Sequence, residues 1–235
     1  MNDSVDHYSK FNERFKEYLE NTREIYTKEE IEHLKRINIE TIISKKRDLP
    51  DLYRQVLEEI GYYDLNESES GYNAFIEIID KEFGIDKNII EVGGGVVPTL
   101  AHKISLKQKA GNITIYDPRL STYHKNTSNF ILKKEKFINE TDVSSADLII
   151  GFMPCEATQT IIENATMNRK DFIIAMCEGG AHGDIYDYFE STEEWLNCML
   201  YLAEREIESN NMGELKILSF KKYLSSYPII YNKRQ

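Results

Sequence analysis

Three consecutive glycines, Gly93-Gly94-Gly95, follow the short run Ile89-Ile90-Glu91-Val92 and carry the clearest chemical potential of this chain. Glycine lets the backbone approach a ligand closely, and the free amides at the start of a following helix attract an anionic group. The spacing of Thr99-Leu100-Ala101-His102-Lys103-Ile104 supplies that helix. About twenty residues after the glycines, Ile113-Thr114-Ile115-Tyr116-Asp117 reads as a second strand ending in an acid, where a carboxylate can hold a ribose diol. Each signal has a plainer alternative. The glycines could form only a tight strand-to-helix turn, although such a turn needs one glycine and not three. Asp117 could be a turn-forming aspartate before Pro118. Glu91 could do no more than satisfy loop amides.

A second group of reactive types follows the fourth and fifth apolar runs. Pro154-Cys155-Glu156 and Cys177-Glu178-Gly179-Gly180-Ala181-His182 place two thiols, two carboxylates and an imidazole at strand ends. If those strands are neighbours, both segments emerge at the C-terminal edge of the sheet, where ligands bind in open α/β folds. Glu178 and His182 are the candidates for proton transfer or substrate positioning, since histidine titrates near neutrality. The residue types, Cys155, Cys177 and His182 among them, leave a zinc or other metal site as an alternative. Against it, no pair has an ordinary ligand spacing and a buried cysteine is more often a small hydrophobe, so no metal ligands are assigned. Cys198, within the apolar stretch Trp195–Leu202 of a helix, is expected in the core.

These residues need a scaffold. Up to about residue 84 the pattern is helical only. Val5, Tyr8, Phe11, Phe15, Tyr18 and Leu19 form one apolar stripe, and Thr27 with Glu30 has capping-box spacing ahead of Ile31, Leu34, Ile37 and Ile42. Pro50 opens a third helix that stops at Gly61, and a fourth runs from about Tyr72 to Phe83. From Ile85 the pattern changes to short β-branched runs: Ile89–Val92, Ile113–Tyr116, Phe130–Leu132, Leu148–Phe152, Phe172–Met176, Leu215–Phe220 and Ile229–Tyr231. Helical stretches at Thr99–Lys109, Glu156–Met167 and Thr192–Ser209 alternate with them. That alternation predicts a mostly parallel sheet with helices on both faces. The last two runs are separated by too few residues for a helical crossover, so they should pair antiparallel. The organisation expected is an N-terminal helical cap over residues 1–84 and an α/β domain over 85–235.

The chain has 235 residues, enough for one core domain with an appendage, and a net charge of −11. That charge argues against a nucleic-acid surface; Lys133, Lys134 and Lys136, and Lys221 with Lys222, are short local exceptions. Three cysteines without disulfide-like spacing point to a reducing cytoplasm. The charged first twenty residues do not read as a signal peptide, and no apolar run is long enough to span a bilayer. No membrane partner is expected, and the oligomeric state is not written in the sequence.

Seven strands with a terminal hairpin, an acid-ended glycine loop after the first and an acid after the second resemble the class I S-adenosylmethionine-dependent methyltransferases. The resemblance covers about Ile85 to the end of the chain and implies a Rossmann-like sheet. It further implies that Glu91, Gly93, Gly94 and Gly95 lie against the methionine part of S-adenosylmethionine, and that Asp117 binds its ribose. Asp142, or Glu140 in second place, would lie near the adenine, while Gly151, Phe152 and Met153 with Pro154 would face the transferred methyl. The sequence departs from the pattern at three places: Val97 replaces the third glycine, the segment from Asp117 to Phe130 is short, and Pro154 is followed by Cys155-Glu156. The function implied is methyl transfer to a small-molecule acceptor, with the N-terminal helices as a lid. Two alternatives stand beside it. One is a non-enzymatic cofactor-binding sensor. The other is an NAD(P)-binding oxidoreductase, against which Pro98 occupies the position of the third small residue.

Overall fold

The fold is that of a computed structural model, which describes residues 71–95, 98–120, 129–177, 189, 191–219 and 228–234. The expected N-terminal helices before residue 71 and the Lys221–Lys222 pair lie outside these residues, as do Glu178 and His182. The elements are α1 (Gly71–Phe83), β1 (Ile89–Val92), α2 (Thr99–Lys107), β2 (Ile113–Tyr116), β3 (Phe130–Lys133), β4 (Leu148–Phe152), α3 (Ala157–Met167), β5 (Asp171–Ala175), α4 (Thr192–Ser209), β6 (Lys216–Ser219) and β7 (Pro228–Asn232).

Seven strands form one sheet in the order β3-β2-β1-β4-β5-β7-β6. β1 to β5 are parallel, and β7 runs antiparallel to both β5 and β6. The terminal hairpin and the parallel body agree with the sequence pattern. Burial explains the near-continuous apolar runs. β1, β4 and β5 lie inside the sheet with helices on both faces, so neither parity of side chain meets water. Ile89, Ile113, Ile115, Leu148, Ile150 and Ile173 join the core under α1 and α2. Their alternates Ile90, Val92, Ile149, Phe172 and Ile174 join the core under α3 and α4.

Local chemistry sets the helix ends. α1 turns Phe75, Ile76, Ile79 and Phe83 into the first core and ends at Gly84, whose φ of +74° closes the last turn with its N–H donating to the Asp80 carbonyl at 2.9 Å. α1 is therefore a layer of the α/β unit. α4 starts at Ser191, whose hydroxyl accepts from the Glu194 amide at 3.1 Å, with Glu193 and Glu194 in the first turn. Its inward stripe is Trp195, Met199, Leu202, Ala203 and Ile207. Cys198 was expected in that core and is exposed instead. It stands one residue before Met199, a rotation of about 100° that carries it off the stripe. Among the described residues no helix is long and apolar enough to cross a membrane.

Candidate functional site

The turn out of β1 shows why three glycines stand together. Gly93 has φ +78°, and its N–H donates to the Tyr116 carbonyl at 2.9 Å. A Cβ there would come within 3.2 Å of Pro154. Gly95 has φ +76°, also left-handed. Gly94 is held by packing, because a Cβ at that position would lie 2.7 Å from Ile115 Cγ2. Each glycine answers a local constraint, and the loop is drawn tightly onto β2.

α2 begins at Pro98, which supplies no side-chain cap. The acid of β1 takes over that duty: Glu91 Oε2 accepts from the Ala101 amide at 3.1 Å, in the first turn of α2. Glu91 is 2% exposed, and burial pushes its carboxyl up to about 8; the Ala101 bond opposes the rise and the Asp117 charge adds to it. Around neutrality this acid is mostly protonated.

Asp117, also 2% exposed, closes the other side of the loop. Its Oδ2 accepts from Gly95 N at 2.8 Å and from Arg119 Nη2 at 3.0 Å. Its Oδ1 accepts from Arg119 N at 2.7 Å and Nε at 3.2 Å. Burial alone would raise this carboxyl, but the hydrogen bonds and charge of Arg119, with the Gly95 amide, hold it below the usual aspartate range. The short bond to the Arg119 amide is also the turn that the Asp-Pro pair suggests, so the residue has both a local and an outward-facing role.

A cleft of about 490 Å³ opens at the C-terminal ends of β1, β2 and β4. β1 continues through α2 to β2 on one side and lies against β4 on the other, so the strand order reverses beside this opening. Crevices at such reversals are where open α/β sheets bind ligands. Asp117, Pro118 and Arg119 form one wall, Lys136, Phe137 and Ile138 a second, and Met153 to Ala157 a third. The second wall is pinned from behind by the buried Asn164 of α3. Its Nδ2 donates to the carbonyls of Ile138, Asn139 and Thr141 at 3.1, 2.9 and 3.1 Å. The Phe137 ring meets that of Tyr116 edge to face, with centroids 5.5 Å apart. In the third wall Met153 and Cys155 have φ of +52° and +48°, sparsely populated for residues with a Cβ. The Cys155 thiol meets that of Cys177; this contact, and then burial, push it up, so it stays protonated and is a poor nucleophile. No group of three or more metal-ligating side chains is assembled among the described residues.

Of the residues singled out in the sequence, Gly93, Asp117, Met153, Pro154, Cys155 and Glu156 line the cleft. Glu91, Gly94 and Gly95 build the loop behind it. Gly151 is packed away, since a Cβ would lie 2.8 Å from Ile161 Cδ1 and 2.9 Å from Pro154 Cγ. Phe152 points to the opposite core, with its ring 4.6 Å from that of Tyr72 and 5.4 Å from that of Phe75. Asp142 and Glu140 are exposed and off the cleft; the Asp142 carboxylate accepts from the Ser144 amide at 2.9 Å. Sequence reasoning passed over Arg119, for which spacing gives no signal. It also passed over Phe137-Ile138, an apolar pair directly after the lysine run that could have been read as a wall.

No protein-family model and no curated protein matches the sequence. Solved structures to which the chain is similar include a SAM-dependent methyltransferase from Aquifex aeolicus, at 15% identity over 84% of this chain and 98% of that one, with a TM-score of 0.45. An O-methyltransferase family protein from Burkholderia thailandensis is 11% identical over 79% of this chain and 59% of that one, with a TM-score of 0.47. Fibrillarin in its complex with Nop5p is 17% identical over 71% of this chain and 81% of that one, with a TM-score of 0.45. The observed sheet, five parallel strands extended by an antiparallel hairpin, is itself the arrangement that the resemblance in the sequence implies: a Rossmann-like seven-stranded sheet.

Proposed function

We propose that this protein binds S-adenosylmethionine in the cleft and transfers its methyl group to a small-molecule acceptor. The observation that carries the reading is the buried Asp117 carboxylate at the end of β2, hydrogen-bonded to the glycine loop of β1 and facing the cleft. The residues fit an adenosine ligand. Asp117 offers acceptors to a ribose diol, the Phe137–Ile138 wall offers an apolar surface to a purine, and the absent Cβ of Gly93 leaves backbone against the cleft. When bound, S-adenosylmethionine supplies a methyl already made electrophilic by its sulfonium. The chain's own task is then to exclude water and align a nucleophile with that methyl. Glu178 and His182, beyond the end of β5, are the residues proposed to take a proton from the acceptor.

A thermal-shift series tests the binding half. S-adenosylhomocysteine should raise the melting temperature because it binds only the folded state, and NAD and NADP should not. Stabilisation by NAD without stabilisation by S-adenosylhomocysteine would overturn the reading. The chemistry is tested by transfer of labelled methyl to fractionated small-molecule extracts. Glu178→Gln and His182→Asn should abolish transfer while leaving S-adenosylhomocysteine binding nearly unchanged. Loss of that binding in both variants would mean that the loop builds the cofactor site, and the proton-transfer role would be dropped. Binding with no transfer to any fraction would favour a cofactor sensor over an enzyme.

A further inference from the structure

The Asp117 carboxylate is fully subscribed. An ionised carboxylate has about four acceptor positions, and here each oxygen takes two donors: Oδ1 from Arg119 N and Nε, Oδ2 from Gly95 N and Arg119 Nη2. The four bonds are of two kinds. Two come from backbone amides that belong to the fold. The other two come from one guanidinium, on a side chain that is 68% exposed and lines the cleft. A ribose diol donates two hydrogen bonds, and the two positions it needs are the two held by the guanidinium.

We propose that Arg119 is a competing latch on Asp117, which a vicinal diol must displace in order to bind. The inference rests on the reading that Asp117 receives the ribose of an adenosine cofactor. Its consequence is a cost that depends on the ligand. A ligand with both hydroxyls must break both guanidinium bonds. A ligand with one hydroxyl can share the carboxylate with the arginine and break only one, so the latch penalises the diol more heavily. Because the Arg119 side chain is mostly exposed, its removal does not open a cavity, and the amide that shapes the Asp117 turn stays in place.

The experiment is calorimetric titration of the full chain and of Arg119→Met and Arg119→Lys with S-adenosylhomocysteine and its 2′-deoxy analogue. Arg119→Met should bind S-adenosylhomocysteine more tightly, by about tenfold, since two charge-assisted bonds no longer have to be broken. The gain for the 2′-deoxy analogue should be about threefold or less, so the variant prefers the diol more strongly than the parent does. Arg119→Lys, which keeps the charge but not the fork, should fall between the two. Unchanged or weaker binding of S-adenosylhomocysteine by Arg119→Met overturns the latch. Equal gains for both ligands also overturn it, because they would mark simple widening of the cleft. If S-adenosylhomocysteine binds neither the parent nor any variant, the cofactor reading itself has failed, and the latch falls with it.

Discussion

Glutamine at position 91 is expected to stabilise the protein at and above neutral pH and to remove a decline with rising pH that the parent should show. In the unfolded chain this acid loses its proton near its ordinary value of 4.5, whereas burial in the fold delays the loss until about 8. Between those values the folded state holds a proton that the unfolded state has released. Stability therefore falls as pH rises, by about 1.4 kcal/mol per pH unit. This contribution is fully present below about pH 4.5 and gone above about pH 8, a span on the order of 5 kcal/mol. Asp117, held below its usual range, acts with the opposite sign and only in acid, so it does not mask the effect. Glu91→Gln keeps an oxygen for the Ala101 amide and cannot ionise. Urea unfolding at pH 5, 6, 7 and 8 should show a decline for the parent that the variant lacks; His102, which burial holds below its ordinary value, adds a rise in stability with pH to both proteins. Parallel profiles would show that Glu91 ionises normally within the fold.

Alanine at position 117 should have two separable effects. The variant loses the acceptor for a ribose diol, and affinity for S-adenosylhomocysteine should fall by about 1–3 kcal/mol, the range for hydrogen bonds to a charged group. It also leaves the Gly95 and Arg119 amides without the oxygens they donate to, at a stability cost of about 1–3 kcal/mol. Asp117→Asn retains one acceptor oxygen for the loop and should recover much of the stability but little of the affinity. Titration calorimetry and thermal melts on the same samples distinguish the two losses. Undiminished S-adenosylhomocysteine binding by a folded Asp117→Ala protein would place the ligand elsewhere.

The sheet is largely legible in the sequence. β1, β2 and β4 have the bounds their apolar runs suggest, and α4 spans Thr192–Ser209 as its helical pattern indicates. Such runs are readable because a strand buried on both faces has no room for polar residues. The shift of β5 by one residue comes from Asp171, a buried acid that enters the strand by accepting from Arg234 at the far end of the chain. Side-chain direction in the site was harder to read. Phe152 and Met153 are neighbours in sequence but face different cores, since β4 ends at Phe152 and the left-handed Met153 turns the chain. The exposure of Asp142 depends on a turn closed by Ser144, and Phe137–Ile138 reach the cleft only because Asn164 anchors their loop from another helix. Contacts of that kind join segments far apart in the chain, and no periodicity encodes them.

The approach of Pro154 to two glycines has a consequence for descent. Pro154 lies against the positions a side chain would occupy at both Gly93 and Gly151, so a larger residue at either one drives into the same ring. The exits of β1 and β4 cannot then drift independently. A homologue that enlarges either glycine must reshape the proline turn; at Gly151 it must also displace Ile161, and at Gly93 it must give up the left-handed backbone. Overall identity can decay until no family model registers the chain, yet this threefold dependence restricts which changes can be inherited singly. A glycine directly after the first strand, paired with a Gly-x-x-Pro at the end of the fourth, is the pattern by which distant kin of this chain can be sought.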